Sequence, residues 1–373
     1  MNFLKKILKI TLINIFFLII GLLIIEIFFG KWFYKSNYGN LLIPQYSSSI
    51  INKPHYDSDN KYIYSRDKNG FRANNYDLDE IDILIMGGST TEERFIDDNH
   101  IWTKVFERTV SKKINYKVLN AGIGGQTSFG HSNMFNLWFS RFDNLKPKYI
   151  LVYLGINDSI KVNENFSKNI LSINNNDYSK IKSDKLRFNS YKRKFFQYIK
   201  NNSALHLLYL IIRSSYISYK YKINNPNIKV FENFVLSDLY NHNTKEDLIE
   251  KKEHVIHDFS PLMDNYLPLY EKNLMTIIEY SKNLSAEPIF ITNILTSGAD
   301  ARPYSRGLSR YLEVINDKTI STCKKFNIKC FDIRNKIKLD VNEDFYDPLH
   351  TTPQGSAKIG KLIAKSFLDY VEK

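Results

Sequence analysis

"ILIMGGSTTEERF", residues 83–95, carries a block of large aliphatic side chains without a break into two glycines, a serine and two threonines. A short, continuously apolar run that ends in small residues reads as a strand buried on both faces, the pattern of a parallel sheet covered by helices. Such a strand delivers the next side chain to the carboxyl edge of the sheet, where open α/β folds bind ligands. Ser89 is therefore the first candidate for chemistry.

Strand and helix signals alternate outward from this point. "IDILIM" (81–86), "YKVLN" (116–120), "YILVYL" (149–154), "EPIFIT" (287–292) and "KCFDI" (329–333) read as strands. Between them "HIWTKVFERTVSKK" and "HSNMFNLWFSRF" read as helices, as do the apolar series Leu267, Tyr270, Leu274 and Ile278, residues 305–325 and residues 353–371. Alternation with short links predicts an α/β fold, a three-layer α/β/α sandwich on a five-stranded parallel sheet. It occupies residues 81–373 and is interrupted by a long, mostly helical insertion over 159–262. Residues 30–80, rich in Asn, Tyr and Asp and containing "SRDKNGFRANNYD", read as a tether with turns.

The chain has 373 residues, 43% of them hydrophobic, enough to bury a sizeable core and too many for a disordered chain. Lys and Arg outnumber Asp and Glu by 52 to 39, a net charge of +13 that by itself suits nucleic acid, anionic lipid or an acidic polymer. Heavy use of Ile, Asn and Lys is a blander source of the same charge. Cys323 and Cys330 are too few for a disulfide framework or a zinc site, leaving one bridge or two core thiols.

Ile10–Phe29 is a predominantly apolar run of the length one helix needs to cross a bilayer. Lys5, Lys6 and Lys9 precede it, and Trp32, Phe33 and Tyr34 follow it as an interfacial belt would. This predicts a cytoplasmic tail (1–9), a transmembrane anchor (10–29) and a periplasmic or extracellular remainder. The exit "IEIFFGKWF" lacks the small-residue pattern of a cleavage site, so the anchor reads as uncleaved. Glu26 is costly against lipid unless it snorkels at the outer end or pairs with another helix.

Within the insertion, "SALHLLYLIIRSSYISYKYKI" (203–223) is an apolar helix that Ser203 is placed to cap. Three fates suit it: a lid over the site, a surface lying on the bilayer, or a helix packed on the core. "YKRKFFQYIK" (191–200) interleaves basic and aromatic residues. Outside the cytoplasm that pattern suits anionic lipid or glycan, and no nucleic-acid partner is expected.

Four segments lie at strand ends or just before the last helix. "GGST" (87–90) holds Ser89. "NAGIGGQTS" (120–128) has adjacent glycines that let backbone N–H groups face a ligand. "LGIND" (154–158) offers the Asn157 amide, and "DPLHTTPQG" (347–355) places Asp347 and His350 three apart. A serine hydroxyl needs a base, and the base needs an orienting partner, roles open to His350 and Asp347. The Ser89 N–H, the Gly125 N–H and the Asn157 side chain are candidate donors to an oxyanion. Each segment alone also reads as a cap or a tight turn; their order and placement together carry the chemistry.

That order resembles the SGNH hydrolases, the GDSL-like esterase superfamily, over residues 81–158 and 264–371. The resemblance implies a flavodoxin-like sheet and no cofactor, and no metal-binding cluster in the sequence argues otherwise. It also implies a nucleophile at Ser89, an oxyanion hole of Ser89, Gly125 and Asn157, and a triad completed by His350 and Asp347. The first block reads "GGST" where the family's name-giving pattern reads "GDSL".

The function expected from these residues is hydrolysis of an O-acyl ester, acetyl first; the expected location and the resemblance add a cell-envelope glycan or related carbohydrate as its carrier. Alternatives are an O-acetyltransferase using the same residues, a lipase or lysophospholipase, and a noncatalytic glycan-binding or assembly module. The expected partners are an acylated carbohydrate or lipid substrate and, through the N-terminal helix, a membrane.

Overall fold

A computed structural model describes residues 2–30, 32, 48–52, 61–159, 199, 202–206, 208–209, 212, 228–231, 260–294, 303–340, 343–346 and 349–372. The chain divides into two compact units. One comprises Met1–Asn37 with Ser172–Ile228, the other Tyr38–Leu171 with Lys229–Lys373.

In the first unit, helix α1 (Asn2–Phe29) contains a stretch, Lys5–Phe29, long and apolar enough to cross a membrane, none of it buried within the protein. In the second, strands β1 (Ser48–Asn52) and β2 (Lys61–Ser65) pair antiparallel. The main sheet begins with β3 (Ile83–Gly87), followed by a one-turn helix α2 (Ser89–Glu92), α3 (Trp102–Val110), β4 (Val118–Asn120), α4 (Ser128–Leu137) and β5 (Tyr149–Tyr153). After β6 (Ile228–Phe231), which joins the β1–β2 pair at the β1 edge, come α5 (Ser260–Asn283), β7 (Glu287–Ile291), α6 (Pro303–Phe326), β8 (Lys329–Phe331) and α7 (Pro353–Val371).

The five main strands run parallel in the order β4-β3-β5-β7-β8. Numbered within the sheet this is 2-1-3-4-5, the flavodoxin-like order, whose switch point lies between the first and third strands, here β3 and β5. Ile83, Leu84, Ile85 and Met86 have no exposed surface. Burying each contributes roughly 1.5–3 kcal/mol, more than the roughly 1–2 kcal/mol of backbone entropy that its ordering costs.

Alternation along β3 sends Ile83 and Ile85 to one face, against Trp102 and Phe106 of α3 and Ile363 and Phe367 of α7. The opposite face is covered by α4, α5 and α6, with Tyr270, Leu274 and Ile315 fully buried. Helix α7 starts sharply: Thr352 caps it by accepting from the Gly355 N–H, and Pro353 occupies the first turn. The capping Thr352 is two residues beyond His350.

Two stretches depart from the sequence reading. Residues 61–80, expected within a tether, are packed: Tyr62, Tyr64, Arg66, Phe71, Arg72 and Ala73 are all buried. The physical reason is that buried Arg and Tyr there satisfy one another by hydrogen bonds, which a polar composition conceals. The insertion, expected over 159–262, contributes only 172–228 to the first unit, and β6 returns to the sheet of β1 and β2. Cys323 is buried, Cys330 is half-buried, and both are free thiols.

Candidate active site

Gly87 is level with Tyr153 in the β3–β5 register, so Ser89, the first residue of α2, emerges at the carboxyl edge beside the end of β5. His350 arrives from the loop before α7, and its Nε2 lies 2.8 Å from Ser89 Oγ. Both residues are half-buried. The Tyr346 ring stacks on the imidazole with centroids 5.8 Å apart and planes 10° from parallel. The Tyr346 N–H donates to the His350 carbonyl at 3.1 Å, and Phe345 bridges to Thr351, so His350 is gripped from both flanks. Asp347 lies outside the described residues.

Two further segments border Ser89. Asn157 follows β5 and sets its amide over Gly88, where a Cβ would come within 2.5 Å of Nδ2. A side chain at position 88 would displace that amide. The loop after β4 brings Gly124 behind Ser89, while Gly125 adopts a left-handed φ of +78° and has open space on its Cβ side. The structure thus gathers Ser89, His350, Gly125 and Asn157 around one corner of the sheet.

Asp158 ties two of these segments together. Its buried carboxylate accepts from the Ser128 N–H and hydroxyl at the start of α4, the latter at 2.6 Å, and from the Tyr266 hydroxyl of α5 at 2.7 Å. The turn bearing Asn157 is thereby fastened to the helix that follows the glycine loop.

Beneath Ser89, two adjacent carboxylates have opposite surroundings. Glu92 accepts from the Gly124 N–H at 2.7 Å and the Tyr64 hydroxyl at 2.8 Å, and pairs with Arg66 at 3.1 Å and Arg94 at 3.0 Å. Burial works to raise its pKa, but Arg66 and then Arg94 outweigh it and hold the carboxyl at about 2. Glu93, at a left-handed φ of 45°, accepts from Trp102 N (2.6 Å), Ser356 Oγ and Thr351 Oγ1 (both 3.0 Å). Burial dominates there and pushes the carboxyl up to about 7 against those hydrogen bonds. Glu93 therefore links the serine turn, the start of α3, the residue after His350 and the first turn of α7.

Arg72, fully buried, donates to the carbonyls of Glu92 (3.0 Å) and Ile96 (2.8 Å) and pairs with Asp98, closing the turn after α2. These supports were not singled out from sequence, where Asp158 enters only as the last residue of "LGIND". The available signal for the others was the alternation in "KYIYSR", which turns Tyr62 and Tyr64 inward. His131 is fully buried in α4, where burial lowers its pKa to about 4 and keeps it neutral. No group of three or more His, Cys, Asp or Glu among the described residues is placed to hold a metal ion.

Comparison with solved structures finds distant likenesses. A G-D-S-L family lipolytic protein from Desulfitobacterium hafniense is 10% identical, with 76% of this chain and 98% of that one covered at a TM-score of 0.40. The psychrotrophic esterase EstA from Pseudoalteromonas sp. is 12% identical, covering 78% and 98% at 0.42. A GDSL-like lipase from Bacteroides thetaiotaomicron is 12% identical, covering 78% and 89% at 0.39. Comparison with curated proteins finds no match. The family model described as GDSL-like Lipase/Acylhydrolase, in contrast, matches residues 83–363, a span that runs from the first residue of β3 into α7. On that match the chain belongs to the GDSL-like lipase/acylhydrolase family of ester hydrolases.

Proposed function

We propose that this protein is a membrane-anchored serine hydrolase that removes an O-acyl group, acetyl first, from a cell-envelope glycan or related carbohydrate. The observation that carries the proposal is the 2.8 Å separation of Ser89 Oγ and His350 Nε2 at the sheet's switch point. His350 Nε2 takes the Ser89 proton as Oγ attacks the ester carbonyl carbon. The oxyanion is received by the N–H groups of Ser89 and Gly125 and the Asn157 amide. Collapse expels the sugar oxygen, which takes the proton from His350; water then attacks the acyl-serine and restores the enzyme. Asp347 orients the imidazole.

Lysines 5, 6 and 9 before the apolar run support a reading with the N-terminus inside and the hydrolase domain in the periplasm or outside the cell. The glycan assignment rests on that location. Helix α1 also sets the enzyme beside lipid, which favours lysophospholipid esters as the second reading.

The test compares full-length protein and Ser89→Ala in detergent on acetylated sugars and lysophospholipid, with and without a free sugar acceptor. Ser89-dependent acid release from acetylated sugar, indifferent to acceptor, is the expected result. Faster lysophospholipid cleavage transfers the assignment to lipid, acylated acceptor transfers it to acyl transfer, and equal behaviour of both proteins overturns it.

A further inference from the structure

Glu26 sits in α1 three residues before its end at Phe29, about 4.5 Å along the axis. The side chains around it are apolar and open, with Ile27, Phe28 and Phe29 at 55%, 76% and 74% exposure. Its carboxylate nevertheless has protein partners. Ser203 Oγ donates to Oε1, the Ala204 N–H donates to Oε2 at 2.8 Å, and Trp32 Nε1 donates to Oε2 at 3.2 Å.

Ser203 does two jobs. Its Oγ accepts from the His206 N–H at 3.0 Å, capping the helical segment that begins at Ala204, while its hydroxyl proton goes to Glu26. A carboxylate at a helix N-terminus is stabilised by the unpaired N–H groups there. Asn202, Ser203 and Ala204 are buried in this junction. Beyond it the segment turns apolar groups outward: Leu208, Tyr209 and Ile212 are 47%, 55% and 61% exposed. Leu208 and Ile212, one turn apart, share a face.

We infer that this segment of the insertion, docked through Ser203 and Ala204 on Glu26, buries Leu208, Tyr209 and Ile212 in the outer leaflet as a second membrane contact beside α1. The inference rests on the reading that α1 spans a bilayer. Glu26 then lies near the outer boundary of the hydrocarbon, and whatever hydrogen-bonds to it shares that level. Ile212 is eight residues from Ala204, about 12 Å of helix, so a segment lying along the bilayer plane keeps its apolar face at the level of Glu26. Tyr209 has the amphipathic ring that such a layer favours, and a lipid partner explains why Leu208, Tyr209 and Ile212 stay open next to a junction that buries Asn202, Ser203 and Ala204.

The test places an environment-sensitive fluorophore on full-length protein in phosphatidylcholine vesicles, in a Cys323→Ala, Cys330→Ala background. Labels go on Leu208→Cys, Ile212→Cys, Phe28→Cys and Lys113→Cys, the last an exposed position on the hydrolase unit, and lipids with a doxyl quencher are added. Quenching at 208 and 212 within about twofold of that at 28, and well above 113, is the expected result. Quenching at 28 without quenching at 208 and 212 overturns this inference alone. No quenching at 28 overturns the spanning reading and the inference with it. Glu26→Leu should at least halve quenching at 212 and leave 28 unchanged; unchanged quenching at both would overturn the docking.

Discussion

Ser89 Oγ and His350 Nε2 stand 2.8 Å apart although 261 positions separate them in the chain. The serine is delivered by β3, the histidine by the loop that Thr352 closes at the head of α7. If His350 is the base, His350→Ala should lower kcat by about 10²–10⁴ with KM little changed. Asp347→Asn should lower it as well, through the orientation of the imidazole. Steady-state kinetics on a short-chain acyl ester checks both, and a change confined to KM would remove His350 from the chemistry.

Asn157 sits over Gly88 at the end of β5. An amide aimed at the oxyanion acts on the transition state and little on the bound ester. Asn157→Ala should therefore cost about 10²–10³ in kcat while leaving KM within about threefold. Equal losses of substrate binding and turnover would assign Asn157 to ground-state recognition instead.

Glu92 and Glu93 are adjacent and should have opposite pH signatures. Glu92, held at about 2, contributes stability that is present above its ordinary 4.5 and lost as pH falls through 2. Glu93, raised from 4.5 to about 7, contributes stability present below 4.5 and lost as pH rises through 7, about 3 kcal/mol at full ionisation. Denaturant midpoints at pH 4, 6 and 8 should show Glu93→Gln gaining on the wild type as pH rises. Its amide can accept from Trp102 and donate to Thr351, whose hydroxyl can reverse its role. A constant difference across that range would contradict the reading of Glu93.

Glu92→Ala removes the partner of Arg66, whose side chain is fully buried. An unpaired buried charge costs about 3–5 kcal/mol, so the variant should unfold at markedly lower denaturant. Arg94→Ala, whose side chain is 55% exposed, should shift the midpoint by less than about 1 kcal/mol. Similar effects of the two would mean that the buried pair is not what holds the turn.

The sheet was legible because β3, β5 and β7 are continuous apolar runs and because burial on both faces leaves no other reading for "ILIM" before two glycines. Ser89, Gly125 and Asn157 were legible as residues of reactive or permissive types just after strands, and His350 as a candidate base in the loop before the closing helix. The support beneath them was not. Arg66, Arg72 and Glu93 are ionisable, and in a sequence such residues read as surface; only folding reveals that Tyr64, Trp102 and Thr351 satisfy them in the interior. Likewise the two readings of Glu26, snorkelling or pairing, differ only in the position of Ser203, 177 residues away.

An activated Ser89 should react with an electrophile that mimics an ester. Full-length protein in detergent should be treated with a fluorophosphonate ester and the modified peptide located by mass spectrometry. One adduct is expected, on Ser89, formed together with loss of esterase activity and slowed by at least about a hundredfold in His350→Ala. An adduct on another residue, or full activity after Ser89 is replaced by Ala, would contradict Ser89 as the nucleophile.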